Sequence, residues 1–264
     1  VELSGIILLL ATVLVIIGGI KSIAKVTEFL VPFMILFYMG GSIFVLMRNI
    51  AFLDDIFLMV IHSAFTPLSL SGGIIGATVK DAIRWGVSRG VFSNESGLGS
   101  SSIAAAACCC KDPVSQALVS MSQTFIDTIV VCTMTGFVIL TSGVWKGTET
   151  GAALTAEAFS KGMPGDWGGI IVALSLICFA YSTILGWSYY GEKSVEYLFG
   201  ESVVKPYRLI FCLFVAVGAV IKLELVWSIS DVFNAFMAMP NLIGLLLLSK
   251  EVSYETKKYF YREI

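Results

Sequence analysis

Charge is what this sequence has least of. Only 14% of its 264 residues are Asp, Glu, Lys or Arg, against about 25% in an ordinary soluble domain. Those few charges leave long gaps. Leu3–Ile20 runs 18 residues without one, Phe29–Met47 runs 19 and Trp167–Gly191 runs 25. Pro113–Trp145 carries only Asp127, and Leu225–Ser249 only Asp231. A membrane span needs roughly 20 apolar residues at about 1.5 Å rise each. Several runs of that length exclude a soluble protein with a buried core. Histidine is scarcer still. His62 stands alone, which excludes a histidine metal cluster and leaves it a structural role. No basic stripe interleaved with aromatics is present, so a nucleic-acid surface is excluded. The six cysteines (Cys108, Cys109, Cys110, Cys132, Cys178 and Cys212) form no CxxC pair. Lying in or at the ends of apolar segments, they read as small hydrophobes rather than disulfides or metal ligands. The chain opens on Val1 with no leader pattern, from which we expect a piece of a longer protein.

What is present is apolar sequence, 57% of the chain, with a mean hydropathy of +0.89. It predicts an all-α integral membrane protein with about seven segments: 3–21, 27–47, 78–110, 114–141, 166–190, 206–222 and 224–249. Residues 49–77 are broken by Pro67, Ser69, Ser71, Gly72 and Gly73, and read as a membrane-surface hairpin. Orientation follows from the basic residues. One set of loops holds ten Lys and Arg, among them Lys21, Lys193, Lys205 and Lys258, and the other holds Arg48, Lys146, Lys161 and Lys222. The bias places the richer set in the cytoplasm. The expected organisation is a transmembrane domain over 1–249 and a cytoplasmic tail over 250–264.

Residues 78–110 do not suit a lipid-facing helix. Asp81 and Arg84 are three apart and could pair. Arg84 and Arg89 would be costly against lipid, so this half must face water or protein. Next comes Asn94-Glu95-Ser96-Gly97-Leu98-Gly99-Ser100. Two glycines within three residues disfavour helix, and Asn and Ser offer competing hydrogen bonds. The pattern fits a helix broken near 94–100, with backbone groups lining a cavity or binding something. It also fits a polar cytoplasmic loop between two ordinary helices.

Two further places are polar inside apolar runs. Ser182 and Thr183 are adjacent hydroxyls, and Thr183 shares a helix face with Trp187 four residues on. Hydroxyl oxygens suit a hard cation, and a hydroxyl beside an aromatic suits a small amphipathic ligand. The same residues would serve helix–helix packing. Asp127 lies about a dozen residues into its span. An intramembrane carboxylate is a functional candidate, and pairing with an arginine is the alternative.

The run GVSRGVFSNESGLGSSSIAAAA at 86–107, followed by KDPVSQALVSMSQTFIDTIVVCTMTGFVIL at 111–140, closely resembles the alanine or glycine:cation symporter family. STILGWSYYGEKSVEYLFG at 182–200 and WSISDVFNAFMAMPNLIGLLLLS at 227–249 resemble it too. The resemblance implies part of the inverted-repeat fold of leucine-type transporters. In that fold 78–110 is the broken sixth core helix, 114–141 the seventh and 166–190 the eighth. It implies sodium-coupled symport of a small neutral amino acid, alanine or glycine, across the plasma membrane by alternating access, with Na⁺ as coupling ion and no other cofactor. Thr183 and Trp187 would bind substrate, with Phe92, Asn94, Ser96, Gly97 and Gly99. Ser182 and Thr183 would bind sodium, and Glu95 and Asp127 are further functional candidates. The family's first core helix lies outside these residues, so the remaining ligands are expected from N-terminal helices of the same protein. Here Ser101-Ser102 and Ala104 to Ala107, followed by three cysteines, depart from the family pattern after the Gly-Ser.

Two other classes compete. A passive channel would give flux without accumulation. An intramembrane hydrolase could use Ser100 to Ser102, but it needs a basic partner, and His62 falls in the hairpin.

Overall fold

The computed structural model describes the backbone of residues 2–65, 74–110 and 112–261, and the side chains of the same ranges except 2, 64–65 and 74–82. Among these residues every regular element is a helix. In chain order they are α1 (Glu2–Ile16), α2 (Gly19–Arg48), α3 (Leu53–Phe65), α4 (Ile74–Asn94), α5 (Ser100–Ala105), α6 (Pro113–Phe125), α7 (Thr133–Ser142), α8 (Gly151–Gly162), α9 (Trp167–Phe199), α10 (Val204–Gly218) and α11 (Leu223–Tyr261). A π-helical turn, Ile126–Cys132, joins α6 to α7.

Four stretches among the described residues are long and apolar enough to cross a membrane: Gly19–Arg48, Pro113–Ser142, Trp167–Phe199 and Leu223–Tyr261. The sequence predicts about seven. α1 and α10 have 15 residues each, about 22 Å of helix, short of the roughly 30 Å hydrocarbon thickness. α4 carries Lys80, Asp81, Arg84 and Arg89. The expected hairpin contains α3, with Asp54 and Asp55 in its first turn, where carboxylates favour a helix start. Pro67, Ser69, Ser71, Gly72 and Gly73 lie outside the described residues, as does the Asp81 side chain of the expected Asp81–Arg84 pair.

Helix limits also differ from expectation. Lys21 and Lys25 lie within α2 rather than in a loop. Residues 250–261, expected as a tail, continue α11, and Lys258 pairs there with Glu255. Charged residues are good helix formers. Hydropathy therefore marks a membrane edge better than a helix end.

The chain divides into two compact units. One comprises Val1–Ile23, Val87–Asp127 and Ile184–Ile264. In it α1 packs on α10 through small residues. A Cβ on Gly5 would sit 3.1 Å from the Cβ of Ala219, so the backbones approach closely, as membrane helices do at small residues. Arg208 clamps Glu192 through two hydrogen bonds of 2.6 and 2.8 Å and donates to the Ile17 carbonyl at 3.3 Å. It thereby satisfies a carbonyl at the end of α1 that the helix leaves unbonded. Asp112 caps α6 by accepting from the Val114 amide at 2.8 Å, with Pro113 at the first helical position.

The other unit, Ala24–Gly86 and Thr128–Thr183, holds a core of Tyr38, Val45, Val138, Val144, Ala158, Phe159, Met163 and Val172. The Tyr38 hydroxyl lies 2.7 Å from that of Thr135, so the phenol enters the core with its polar end satisfied. Gly162 and Gly168 let backbones meet. A Cβ on Gly168 would run into the Phe159 carbonyl, and one on Gly162 into Val45.

The cysteine reading needs one correction. Cys108 and Cys110 are joined by a disulfide, whereas Cys109, Cys132, Cys178 and Cys212 are free. The helix ends before them, and in the irregular segment that follows, alternate side chains can meet.

Candidate functional site

α4 ends at Asn94, whose side-chain amide donates to the Gly90 carbonyl at 2.8 Å. Three of the next five residues have positive φ: Glu95 at 54°, Gly97 at 80° and Gly99 at 83°. Glycine takes this region freely, whereas a glutamate there is uncommon. The chain turns through Glu95–Gly99 and re-enters helix at Ser100. Leu98 and Ser100 are buried and anchor the turn.

Side chains from distant parts of the same unit hold it. The Glu95 carboxylate accepts from the Ser100 hydroxyl at 2.8 Å, and the Tyr190 phenol of α9 lies beside it. Asn241 of α11 donates its amide to the Gly97 carbonyl at 3.0 Å. The Ser102 hydroxyl donates to the Gly99 carbonyl. Two loop carbonyls are thus occupied. Ser96 is exposed and makes no hydrogen bond among the described residues.

Just before the turn, aromatic and charged groups stack. Phe92 meets Trp227 edge-on, with ring centroids 5.3 Å apart. The Arg89 guanidinium lies 3.9 Å from the Trp227 ring centroid and pairs with Asp231 at 2.9 Å. Ser88 donates to the other Asp231 oxygen at 3.1 Å. Of the predicted residues, Trp187 packs edge-on against Tyr190 at 5.7 Å, one contact away from Glu95. Below the turn, α5 and α9 border an open cleft of about 550 Å³ lined by Ser102, Ile103, Ala106, Ala107, Tyr189 and Lys193.

Ser182 and Thr183 fall in the other unit. The Ser182 hydroxyl donates to the Phe179 carbonyl at 3.0 Å, leaving its oxygen lone pairs available, and Thr183 is exposed. Asp127 takes a 2.7 Å hydrogen bond from Ser93, and among the described residues no arginine pairs with it. Among the described residues no group of three or more His, Cys, Asp or Glu could hold a metal ion.

Sequence reasoning missed Tyr190, Trp227 and Asn241. Asn241 had a local signal, an amide directly after Pro240 inside an apolar run. The other two read as ordinary span aromatics.

Comparison with known proteins adds a family match. The sodium:alanine symporter family matches residues 2–263. The sodium/alanine symporter AgcS of Methanococcus maripaludis is 51% identical over 261 residues, covering 97% of this chain and 56% of the relative. An uncharacterized transporter of Haemophilus influenzae is 48% identical over 263 residues, covering 99% and 58%. The probable sodium/glutamine symporter GlnT of Bacillus subtilis is 35% identical over 257 residues, covering 97% and 53%. The chain spans somewhat more than half the length of these relatives. With nearly every residue matched, this helical chain belongs to the sodium:alanine symporter family, a family of transporters and not of enzymes.

Proposed function

We propose that this chain works within a symporter that carries Na⁺ and a small neutral amino acid, alanine or glycine, together across the plasma membrane by alternating access. The observation that carries the reading is the left-handed turn Glu95–Gly99 between α4 and α5. Irregular backbone at membrane depth is tolerated where it lines a cavity or binds a ligand. On this reading α4 and α5 are halves of a broken core helix in an inverted-repeat fold of the leucine-transporter type. The about seven membrane segments of the sequence reading are kept, with α1, α4–α5 and α10 completed by neighbouring turns. Residues 1–249 form the transmembrane domain, and the 250–264 end is cytoplasmic, as the Lys and Arg bias suggests.

Thr183 and Trp187 bind the amino acid, with Phe92, Asn94, Ser96, Gly97 and Gly99. Ser182 and Thr183 bind Na⁺ through oxygen. Remaining ligands come from a first core helix outside these residues. Tyr190 and Asn241 hold the turn in place. The membrane potential adds about 2.3 kcal/mol per charge per 100 mV to the driving force. The names of the relatives, sodium/alanine and sodium/glutamine symporters, support the cation and the substrate class.

The test is uptake of labelled alanine by the full-length protein in proteoliposomes, with glycine and glutamine as competitors. Accumulation against a gradient that stops when choline replaces Na⁺ is expected. Accumulation indifferent to Na⁺ overturns the coupling. Flux that neither saturates nor concentrates favours a channel.

A further inference from the structure

α1 and α10 run antiparallel: Gly5 faces Ala219 at one end, and the Ile17 carbonyl meets Arg208 at the other. At the second end the two helices border a groove of about 310 Å³. Val13, Ile16 and Ile17 line it from the α1 side, and Lys205, Arg208, Leu209 and Cys212 from α10. Each set is spaced three and four residues apart, so each is one helix face. Ile16 and Cys212 are buried and form the floor, whereas Ile17 and Leu209 are exposed and form the rim. The α10 face is basic in its first turn and apolar beyond, over about 10 Å of helix. The two cations differ. Arg208 gives three of its five N–H groups to Glu192 and the Ile17 carbonyl, and its charge is matched by that buried carboxylate. Lys205 is exposed, and among the described residues no carboxylate lies within 4 Å of it. Gly19 lies against Arg208, which brings the start of α2, with exposed Lys21, to the same end. Of the carboxylates flanking α10, Glu196 is paired with Lys193, and Glu201 is exposed in the turn before the helix.

We infer that this groove holds one anionic phospholipid of the surrounding bilayer. Its phosphate sits on Lys205 and the remaining N–H groups of Arg208, and an acyl chain runs between Ile17 and Leu209 toward Cys212. Basic pockets between membrane helices are sites for anionic head groups. Charge selects the lipid: a zwitterionic head group brings its own cation and gains less from Lys205. The lysine stem can lie along the apolar rim while its ammonium reaches head-group depth. The Arg208 guanidinium is already fixed by Glu192, so little side-chain freedom is lost when it meets a phosphate. A lipid bound here braces the joint at which Arg208 holds α1, α9 and α10 together. The inference needs the membrane location of the chain and not the symport reading. Only the leaflet, the cytoplasmic one, rests on the orientation proposed above.

The experiment places the full-length protein in detergent micelles with equal amounts of phosphatidylglycerol and phosphatidylcholine of the same acyl chains, and counts retained lipids by native mass spectrometry. Wild type should retain one phosphatidylglycerol in preference to phosphatidylcholine. K205Q should weaken that binding about fivefold, the weight of one basic side chain at an anionic surface. K258Q, which removes a charge on α11 outside the groove, should leave it unchanged. L209W keeps both cations but fills the rim, and should weaken binding at least as much as K205Q. No preference for phosphatidylglycerol in wild type overturns the site. Equal losses in K205Q and K258Q show diffuse attraction and overturn it too. Wild-type binding by L209W removes the acyl chain from the groove and overturns the lipid assignment. Displacement of the lipid by millimolar inorganic phosphate shows a soluble-anion site and does the same. So does a dimer that L209W splits, which places a second copy in the groove. Lys205 and Leu209 are exposed, so both variants should keep the wild-type melting temperature. Should L209W lose it, K205Q against K258Q decides alone.

Discussion

Gly99→Ala is the sharpest probe of the turn. Gly99 has φ 83°, and a Cβ built there lies 2.9 Å from Oδ1 and 3.1 Å from Cγ of Asn241. Two penalties follow. Placing an L-residue in the left-handed region costs about 1–2 kcal/mol. Asn241 must also move, and its amide is bonded to the Gly97 carbonyl at 3.0 Å. Breaking that bond costs about 0.5–1.5 kcal/mol. Together they lower the equilibrium constant for the native turn by roughly ten- to several-hundred-fold, at about 1.4 kcal/mol per tenfold. Na⁺-dependent alanine uptake by the full-length protein should fall, by at most that factor, at equal membrane abundance. The double variant Gly99→Ala/Asn241→Ala removes the steric conflict but keeps the backbone strain. It should be no better than Asn241→Ala alone, and still worse than wild type. Uptake by Gly99→Ala equal to wild type would refute the reasoning, because both penalties act in the same direction.

Three other outcomes can be checked. If the proposed site is closed around its ligands during transport, Thr183→Val should weaken Na⁺-dependent uptake by about 5- to 150-fold without changing membrane abundance, since losing a ligand hydroxyl costs about 1–3 kcal/mol. Gly168→Ala drives a methyl into the Phe159 carbonyl. Overpacking of this kind costs about 1–3 kcal/mol or more, visible as a lowered melting temperature in detergent. Arg208→Ala leaves the buried Glu192 carboxylate without its partner, at about 3–5 kcal/mol. Adding Glu192→Gln should restore much of the thermal stability, and no restoration would show that the pair is not what holds α9 to α10.

The long apolar runs were legible because hydropathy is a local property. Runs 113–145, 167–191 and 225–249 each lie in a helix or helix pair long enough to cross a membrane. The turn at 95–99 was legible for the same reason, since two glycines beside Asn and Ser oppose helix wherever they occur. What holds the turn was not legible. Asn241 lies 144 residues from Gly97, and Tyr190 lies on another helix from Glu95. No periodicity connects such positions. The positive φ of Glu95 also had no signal, because a glutamate gives none. Nor did the π turn at Ile126–Cys132, where the apolar pattern runs on undisturbed. α8 was overlooked between two spans, although Leu154, Ala158 and Phe159 keep a helical spacing and the last two are fully buried.

The carboxylates of the first unit bear on the proposal that the turn carries function. Four of them, Glu95, Asp127, Glu192 and Asp231, make side-chain contacts in or near the turn and its neighbouring helices. Glu192 is neutralised by Arg208 and Asp231 by Arg89, each through a close ion pair. Both pairs fasten helices: α9 to α10, and α4 to α11. Glu95 and Asp127 are treated differently. The Ser100 hydroxyl reaches the first, with the Tyr190 phenol beside it, and the Ser93 hydroxyl reaches the second. A hydroxyl orients a carboxylate but leaves its charge in place. A protein that needed only rigidity here could replace such a group by an apolar one and gain stability, as buried pairs elsewhere allow. Keeping two carboxylates without a described arginine partner, one within Phe92–Gly99 and one bonded to it through Ser93, makes sense under the proposed symport if a mobile cation completes them during part of the cycle. The arginine-paired carboxylates should then tolerate paired neutral replacement with transport intact. Glu95 and Asp127 should not, even where the replacement leaves the protein folded and in the membrane.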